Sequence, residues 1–493
     1  MKQIYFLTIA FLISVSAFSQ QDTIYFTLDN VIERASKNSI DAFQIKNMYR
    51  ASYWEYRYYK ADRLPSLTLE ATPLDFNHYR SKEYNFETNE EEYVQREYLN
   101  SNFNLSLNQN IGLTGGSLFL RSELGMVKNL GNSQNDSYQS TPISIGYQQS
   151  LNGYNALKWQ TRIEPVKYER AKKELIESRE ALSIKAVDKF FNLAGAQIQL
   201  NIAENNLSSA DTLYRIGKGR FQVGTVTQDE LLNLELNLLK AKQALNVSRS
   251  DVNRTMADLN SFLSLDKNTV IHCIVPSEIP DLQISAGEAI GKAMENNPIV
   301  LEHQQRLMEQ DQTVAKTRSE AGFNTSIFAL YGLDQSSSEF SDVYKDPGNS
   351  QRLRLGVSIP IIDWGRRKGS YQMAQYNREV AKASIEQDKI DFEQELMQDV
   401  VEFNLQAEQV KTSGLADTVA RKGYEVTLQR FMIGKVDVVK LDIARNDLES
   451  ARLSYINTVR NYWNYYYSLR RKTLFDFITR QTLSAEYDEL LEK

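Results

Sequence analysis

The sequence predicts a mainly α fold with a β portion: long α-helical coiled-coil hairpins, built twice over, joined to strands whose sheet one chain cannot close. Three observations predict it. The 493-residue chain matches itself over most of its length. Small and apolar residues recur at alternating three- and four-residue spacings in both halves, the mark of a coiled-coil seam. Between the helical stretches, apolar and polar residues alternate with the period of two that belongs to half-exposed strands.

The N-terminus reads as a secretory signal over residues 1–19. Lys2 supplies the charge, Ile4 to Val15 the apolar run, and Ala17-Phe18-Ser19 a small-x-small site, with cleavage expected before Gln20. That run is too short to span a bilayer, and no later stretch reaches 18 apolar residues, so no membrane-spanning helix is expected. The chain has one cysteine, Cys273, which excludes a disulfide framework. No cysteine stands at the cleavage site to carry a lipid. A net charge of −6 argues against nucleic acid as a partner. The 27 tyrosines suit an exported protein with transmembrane strands, whose aromatic girdles sit at both membrane interfaces.

The duplication defines the organisation. Thr27-Leu28-Asp29-Asn30-Val31-Ile32 maps to Ser285-Ala286-Gly287-Glu288-Ala289-Ile290 at an offset of 258, and Asn38 maps to Asn296. Further on the offset is 210: Leu151 maps to Ile361, Tyr214 to Tyr424, Arg220 to Arg430, Phe221 to Phe431, Gly224 to Gly434 and Leu238 to Leu448. The difference makes a 48-residue insertion in the first copy, at about 76–140. The first repeat is expected over 20–265 with a helical hairpin at 155–265. A linker follows at 266–284, then the second repeat at 285–475 with strands at 323–361 and a hairpin at 364–475. A tail at 476–493 ends the chain.

Each copy reads helix, strands, long helix, tip, shorter helix. Ser285 and Glu288 have the spacing of a capping box at the start of the second copy. Copy one offers strands at Leu64 to Leu74 and Ile143 to Leu151. The insertion adds Phe103 to Ile111 and Ser117 to Leu124 around Thr114-Gly115-Gly116. Copy two offers Phe323 to Leu333, and a strand in which Leu353, Leu355, Val357, Ile359 and Ile361 alternate with polar or small residues. The acidic, tyrosine-rich stretch Asp75 to Glu97 reads as an extracellular loop. The helices before the tips, about Glu164 to Phe221 and Gly365 to Phe431, would extend ~85 and ~100 Å at 1.5 Å per residue. The tips, Arg220-Phe221-Gln222-Val223-Gly224-Thr225 and Arg430-Phe431-Met432-Ile433-Gly434-Lys435, each carry a glycine suited to the left-handed end of a helix. After them a seam runs from Leu231 and Leu234 to Phe262, and from Leu441 and Ala444 to Leu469. Four strands, or six with the insertion, would leave open edges that lipid does not tolerate, so closed oligomeric symmetry is expected.

On these residues the chain resembles the TolC family of outer-membrane efflux and secretion tunnels. The resemblance is carried by the two Arg-Phe-x-x-Gly tips, by Leu64-Pro65-Ser66-Leu67 at the first helix-to-strand junction and by Ile359-Pro360-Ile361 before the long helix. It implies a homotrimer with one shared β-barrel in the outer membrane and an α-helical barrel across the periplasm. It also implies a periplasmic adaptor (membrane fusion) protein, an inner-membrane transporter and outer-membrane lipid as partners. Val223, Gly224, Thr225, Ile433, Gly434 and Lys435 match the adaptor-docking tips. Glu230, Asp437, Lys440 and Asp442 are candidates for the periplasmic entrance, a mixed ring in which Lys440 stands where family members carry acid. The insertion could widen the barrel from 12 to 18 strands or stand above the membrane as a surface hairpin.

Neither an enzyme nor a cofactor is expected. His78, His272 and His303 lack metal-ligand spacing, and Gly217-Lys218-Gly219 lacks the flanking residues of a phosphate loop. The aromatic cluster Tyr462, Trp463, Tyr465, Tyr466 and Tyr467 reads as packing between helices. A trimeric coiled-coil surface adhesin or structural protein without a pore is the alternative. A fibre of that kind would favour short tandem repeats over two strand-bearing copies.

Overall fold

The structure, a computed structural model, describes residues 23–86, 89–130, 136–276 and 278–491. The expected signal segment 1–19 lies outside them. The elements run β1 (Thr23–Thr27), α1 (Leu28–Asn38), α2 (Ile40–Ala61), β2 (Ser66–Asn85), β3 (Glu90–Ile111), β4 (Gly116–Asn129), β5 (Ser137–Ser150), α3 (Ala156–Gln222) and α4 (Gln228–Phe262). Then follow β6 (Val270–Ile274), α5 (Ala286–Asn296), α6 (Pro298–Ala321), β7 (Asn324–Ser337), β8 (Gly348–Ser358), α7 (Arg366–Met432) and α8 (Val438–Thr473), with β9 (Phe475–Asp476), β10 (Gln481–Thr482) and α9 (Tyr487–Leu491) at the end. The offsets reappear in these bounds. α1 and α5 start 258 residues apart, and α3 and α7, each of 67 residues, start 210 apart. Sixty-seven residues of α-helix span ~100 Å. α3 begins earlier than expected and continues through Pro165.

The chain divides into two compact units. One gathers the chain up to Arg50, Ala171–Pro298 and Lys389–Lys493. Its core holds Phe190, Leu193, Phe403, Leu396, Tyr462, Tyr466 and Leu469. The expected aromatic cluster is packing: the Tyr462 and Phe403 rings meet at a tilt with centroids 5.0 Å apart, and the Tyr462 hydroxyl donates to the Pro280 carbonyl at 2.9 Å. The α4 seam is buried at Leu234, Leu238, Ala241, Leu245, Ser248, Val252, Thr255 and Leu259, as the heptad spacing requires.

Stretches that read as connectors are part of this core. β6, within the expected linker, pairs in parallel with β1, and Asn404 brackets Ile284 by donating to its carbonyl and accepting from its amide. In the expected tail, Phe477 is buried and Asp476 accepts from the Tyr466 hydroxyl at 2.6 Å. Arg470 reaches both Glu180, at 3.0 Å, and Asp476, at 3.3 Å. The capping box expected at Ser285 does not form: Glu288 pairs with Arg480 instead. Its counterpart in copy one does form, between Thr27 and Asn30.

The other unit gathers Ala51–Arg170 and Ile299–Asp388. It carries one antiparallel six-stranded sheet in the order β2-β3-β4-β5-β7-β8. The insertion therefore adds two strands, β3 and β4, between β2 and β5. The stretch expected as a loop at 75–97 is a hairpin instead: β2 and β3 pair continuously from Asp75 opposite Asn100 to Asn85 opposite Glu90. Its charges do not oppose strand formation because they meet across the hairpin. Lys82 pairs with Glu91, Arg96 hydrogen-bonds Glu83 at 2.7 Å, and His78 lies 2.8 Å from Glu97. The sheet remains open, with β2 and β8 at its edges.

Candidate functional site

The tips are built by backbone chemistry. At the end of α3 the Gly224 amide donates to the Phe221 carbonyl at 3.0 Å and the Thr225 amide to the Arg220 carbonyl at 2.9 Å. Gly434 and Lys435 repeat the pattern on Phe431 and Arg430, each bond at 2.9 Å. This pair of bonds is the Schellman motif, and it needs a left-handed residue. Gly224 and Gly434 supply it with φ of 74° and 75°. A Cβ added at either glycine would meet nothing within 4 Å. The conformation, rather than crowding within the chain, therefore requires glycine here.

Val223, Gly224, Thr225, Ile433, Gly434 and Lys435 are all exposed. The two tips lie together. The Arg220 guanidinium donates to the Met432 carbonyl at 3.3 Å, and Leu213, Leu234, Phe431 and Leu441 form a small core behind them.

Three of the four candidate entrance residues also have structural partners. Glu230 accepts from the Thr227 amide at 2.9 Å, closing the capping box of α4. Asp437 is the N-cap of α8 and accepts from the Lys440 amide at 2.9 Å. Asp442 accepts from Asn237 at 2.8 Å, which ties α8 to α4. Lys440 is exposed. The sequence contained the capping signal, Thr227 followed three residues later by Glu230. The link between Asn237 and Asp442 joins residues 205 apart and had no local signal.

The sheet has two faces of opposite chemistry. Residues opposed across a ladder share a face. Leu69 stands opposite Leu105, Leu105 is next to Ser122, and Leu67, Leu107, Leu120 and Ile145 form a row across four strands. Ile327 and Leu355 continue this face. Leu353, Leu355 and Val357 on β8 are exposed. The other face carries Glu70 opposite Asn104, Thr72 opposite Asn102, whose amide donates to Glu123 at 3.2 Å, and Arg352 and Arg354 on β8. Phe119 on that face covers Gly146 and stacks on Phe328 at 6.0 Å. A Cβ at Gly146 would lie 2.1 Å from the Phe119 ring, so the close approach requires glycine. A sheet apolar on its exposed side and polar on the other is the pattern of a membrane barrel wall around an aqueous lumen.

Among the described residues no helix is long and apolar enough to cross a membrane, and no group of metal-binding side chains occurs. The three histidines lie in separate settings: His78 beside Glu97, His272 stacked on Tyr25 at 5.4 Å, and His303 buried 3.9 Å from Asp388. Burial pushes the Cys273 thiol up to about 12, so it remains protonated.

Duplicated helical hairpins that carry an open, two-faced sheet define the class of tunnel-forming outer-membrane proteins. The sequence agrees: the family of outer membrane efflux proteins matches residues 49–264 and 289–472, and the chain belongs to that family. This places it in the outer membrane, with its helical part in the periplasm. A comparison with curated proteins finds no match. Solved structures share the fold at low identity. The Campylobacter jejuni CmeC outer membrane channel matches with a TM-score of 0.66 and 17% identity, covering 94% of this chain and 88% of that one. A membrane protein from Pseudomonas aeruginosa matches with a TM-score of 0.64 and 17% identity over 90% of each chain. The open-state Neisseria gonorrhoeae MtrE outer membrane channel matches with a TM-score of 0.60 and 12% identity, covering 90% and 88%.

Proposed function

We propose that three copies of this chain form one outer-membrane conduit, the exit duct of a tripartite efflux pump or a type I secretion system. The observation that carries the proposal is the two-faced sheet with two free edges. Its apolar side suits lipid, its polar side suits water, and its edges demand other copies. Family membership supplies the efflux role. The structures described as outer membrane channels share this fold.

The adaptor-docking role of Val223, Gly224, Thr225, Ile433, Gly434 and Lys435 is supported by their exposure and by the matching turn in both copies. Two equivalent tips suit one kind of partner. Glu230, Asp437, Lys440 and Asp442 would lie at the periplasmic entrance, where charge acts on passing ions. The work of such a duct is passive: it needs a wetted lumen and a docking end, and the energy comes from the inner-membrane transporter. Purified protein in a planar bilayer should give single-channel conductance. A pore-free adhesin would give none, and that result would remove the proposal.

A further inference from the structure

The chain contains a finished junction between its two copies. β5, the last strand of copy one, pairs with β7, the first strand of copy two. Gln149 stands opposite Ile327, Gln148 opposite Phe328, Tyr147 opposite Ala329 and Gly146 opposite Leu330. The remaining outer strands, β8 and β2, are free. The duplication relates the free pair to the finished one. β8 corresponds to β5 at the offset of 210, and the start of β2, Ser66, corresponds to the start of β7, Asn324, at the offset of 258.

We infer that β8 of one copy pairs with β2 of the next in the register of the β5–β7 junction. Ile359 then stands opposite Leu69, Ser358 opposite Glu70, Val357 opposite Ala71 and Gly356 opposite Thr72. The inference rests on the oligomeric barrel proposed above and specifies the geometry of its seam. The inserted strands β3 and β4 lie inside the chain, so they leave this seam untouched.

Strand direction supports the register. β8 and β2 run in the same senses as β5 and β7, so their pairing is antiparallel too. The faces also agree. Leu69 and Ala71 join Ile359 and Val357 on the apolar side, while Glu70 and Thr72 join Ser358 and Gly356 on the polar side. A slip of one residue would turn Leu69 and Ala71 away from the apolar side. The next polar-side positions are Arg354 on β8 and Asp75 on β2, because the bulge between Thr72 and Asp75 brings Asp75 round to face with Asn100. Opposite charges thus meet across the seam.

Paired cysteines test the register in the full chain in its membrane. Directly opposed residues have Cα atoms ~4.5–5.5 Å apart, within disulfide reach, and a two-residue slip carries them beyond it. Cys273 can stay, because burial holds its thiol protonated. Under mild oxidation, Val357→Cys with Ala71→Cys should give covalent multimers on a denaturing gel, and neither single variant should. Leu355→Cys or Ile359→Cys, each with Ala71→Cys, should cross-link at least fivefold less. If a displaced pair cross-links best, the register is wrong and the barrel stands. If no pair cross-links although the extracted complex has a multimer's mass, the β8–β2 seam is refuted. If the extracted mass is that of a single chain, the oligomeric reading itself falls.

Discussion

Single residues in this chain often serve two ends. Asp437 caps α8 by accepting from the Lys440 amide while lying beside the tip, and Glu230 closes the start of α4 in the reverse direction, by accepting from the amide of the N-cap Thr227. Lys440 is exposed, which makes it the cleaner probe of the proposed entrance. Lys440→Asp should raise cation selectivity, measured as a shift in reversal potential across a salt gradient, because like charges concentrate counter-ions. An unchanged reversal potential would remove these residues from the entrance.

Asp476 makes a separate case. Burial pushes its carboxyl up, but the Tyr466 hydroxyl, the Thr479 and Ile478 amides and the Arg470 charge outweigh that and hold it below the ordinary range. A carboxylate with a depressed folded pKa adds stability above its unfolded pKa of ~3.9, and that stability is lost as pH falls through the folded value. Asp476→Asn should therefore lower Tm at pH 7, with the difference from the parent shrinking below pH ~4. A difference that stayed constant across that range would count against the assignment.

At the scale of elements, alternation in the strands carries the membrane claim. Leu355 belongs to the apolar side of β8 and Arg354 to the polar side. Leu355→Arg should destabilise the folded barrel in bilayers by ~2–4 kcal/mol if it lies near the midplane, and Arg354→Leu by much less. Equilibrium unfolding in lipid vesicles would compare the two, and equal costs would contradict the sidedness. The helices and the α4 seam were legible because the heptad spacing is local, and so was β8, whose alternation is clean. In α8 the expected seam is buried only at Leu441, Tyr462 and Leu469, beside Ile456, Val459 and Tyr466 that lie off it. The hairpin at 75–97 was not legible as strands, because its charges are satisfied only by partners across the turn, such as Glu83 with Arg96. The packing of the linker and tail was not legible for a related reason: their buried residues, Ile271 and Phe477, meet a core assembled from distant helices.

For the whole molecule, the insertion can be tested by removal. Copy two joins β7 to β8 through residues 338–347. Replacing residues 80–137 with that loop would restore equal copies and leave two strands in each. If the barrel sets the resistance, conductance should fall about twofold as 18 strands become 12, because diameter grows with strand number. Unchanged conductance would put the limiting constriction elsewhere, with the tips the first candidates.

The sequence by itself determined the duplication, the two glycine tips, the α4 seam and the kind of protein, because these rest on local spacing and on a comparison of the chain with itself. Only the tertiary structure decided that the insertion enters the sheet between β2 and β5, that Glu230, Asp437 and Asp442, the carboxylates proposed for the entrance, act as caps and helix ties, and that the C-terminal segment completes the core. Those outcomes depend on which distant groups satisfy a hydrogen bond, a charge or an apolar surface, and no local pattern encodes that choice.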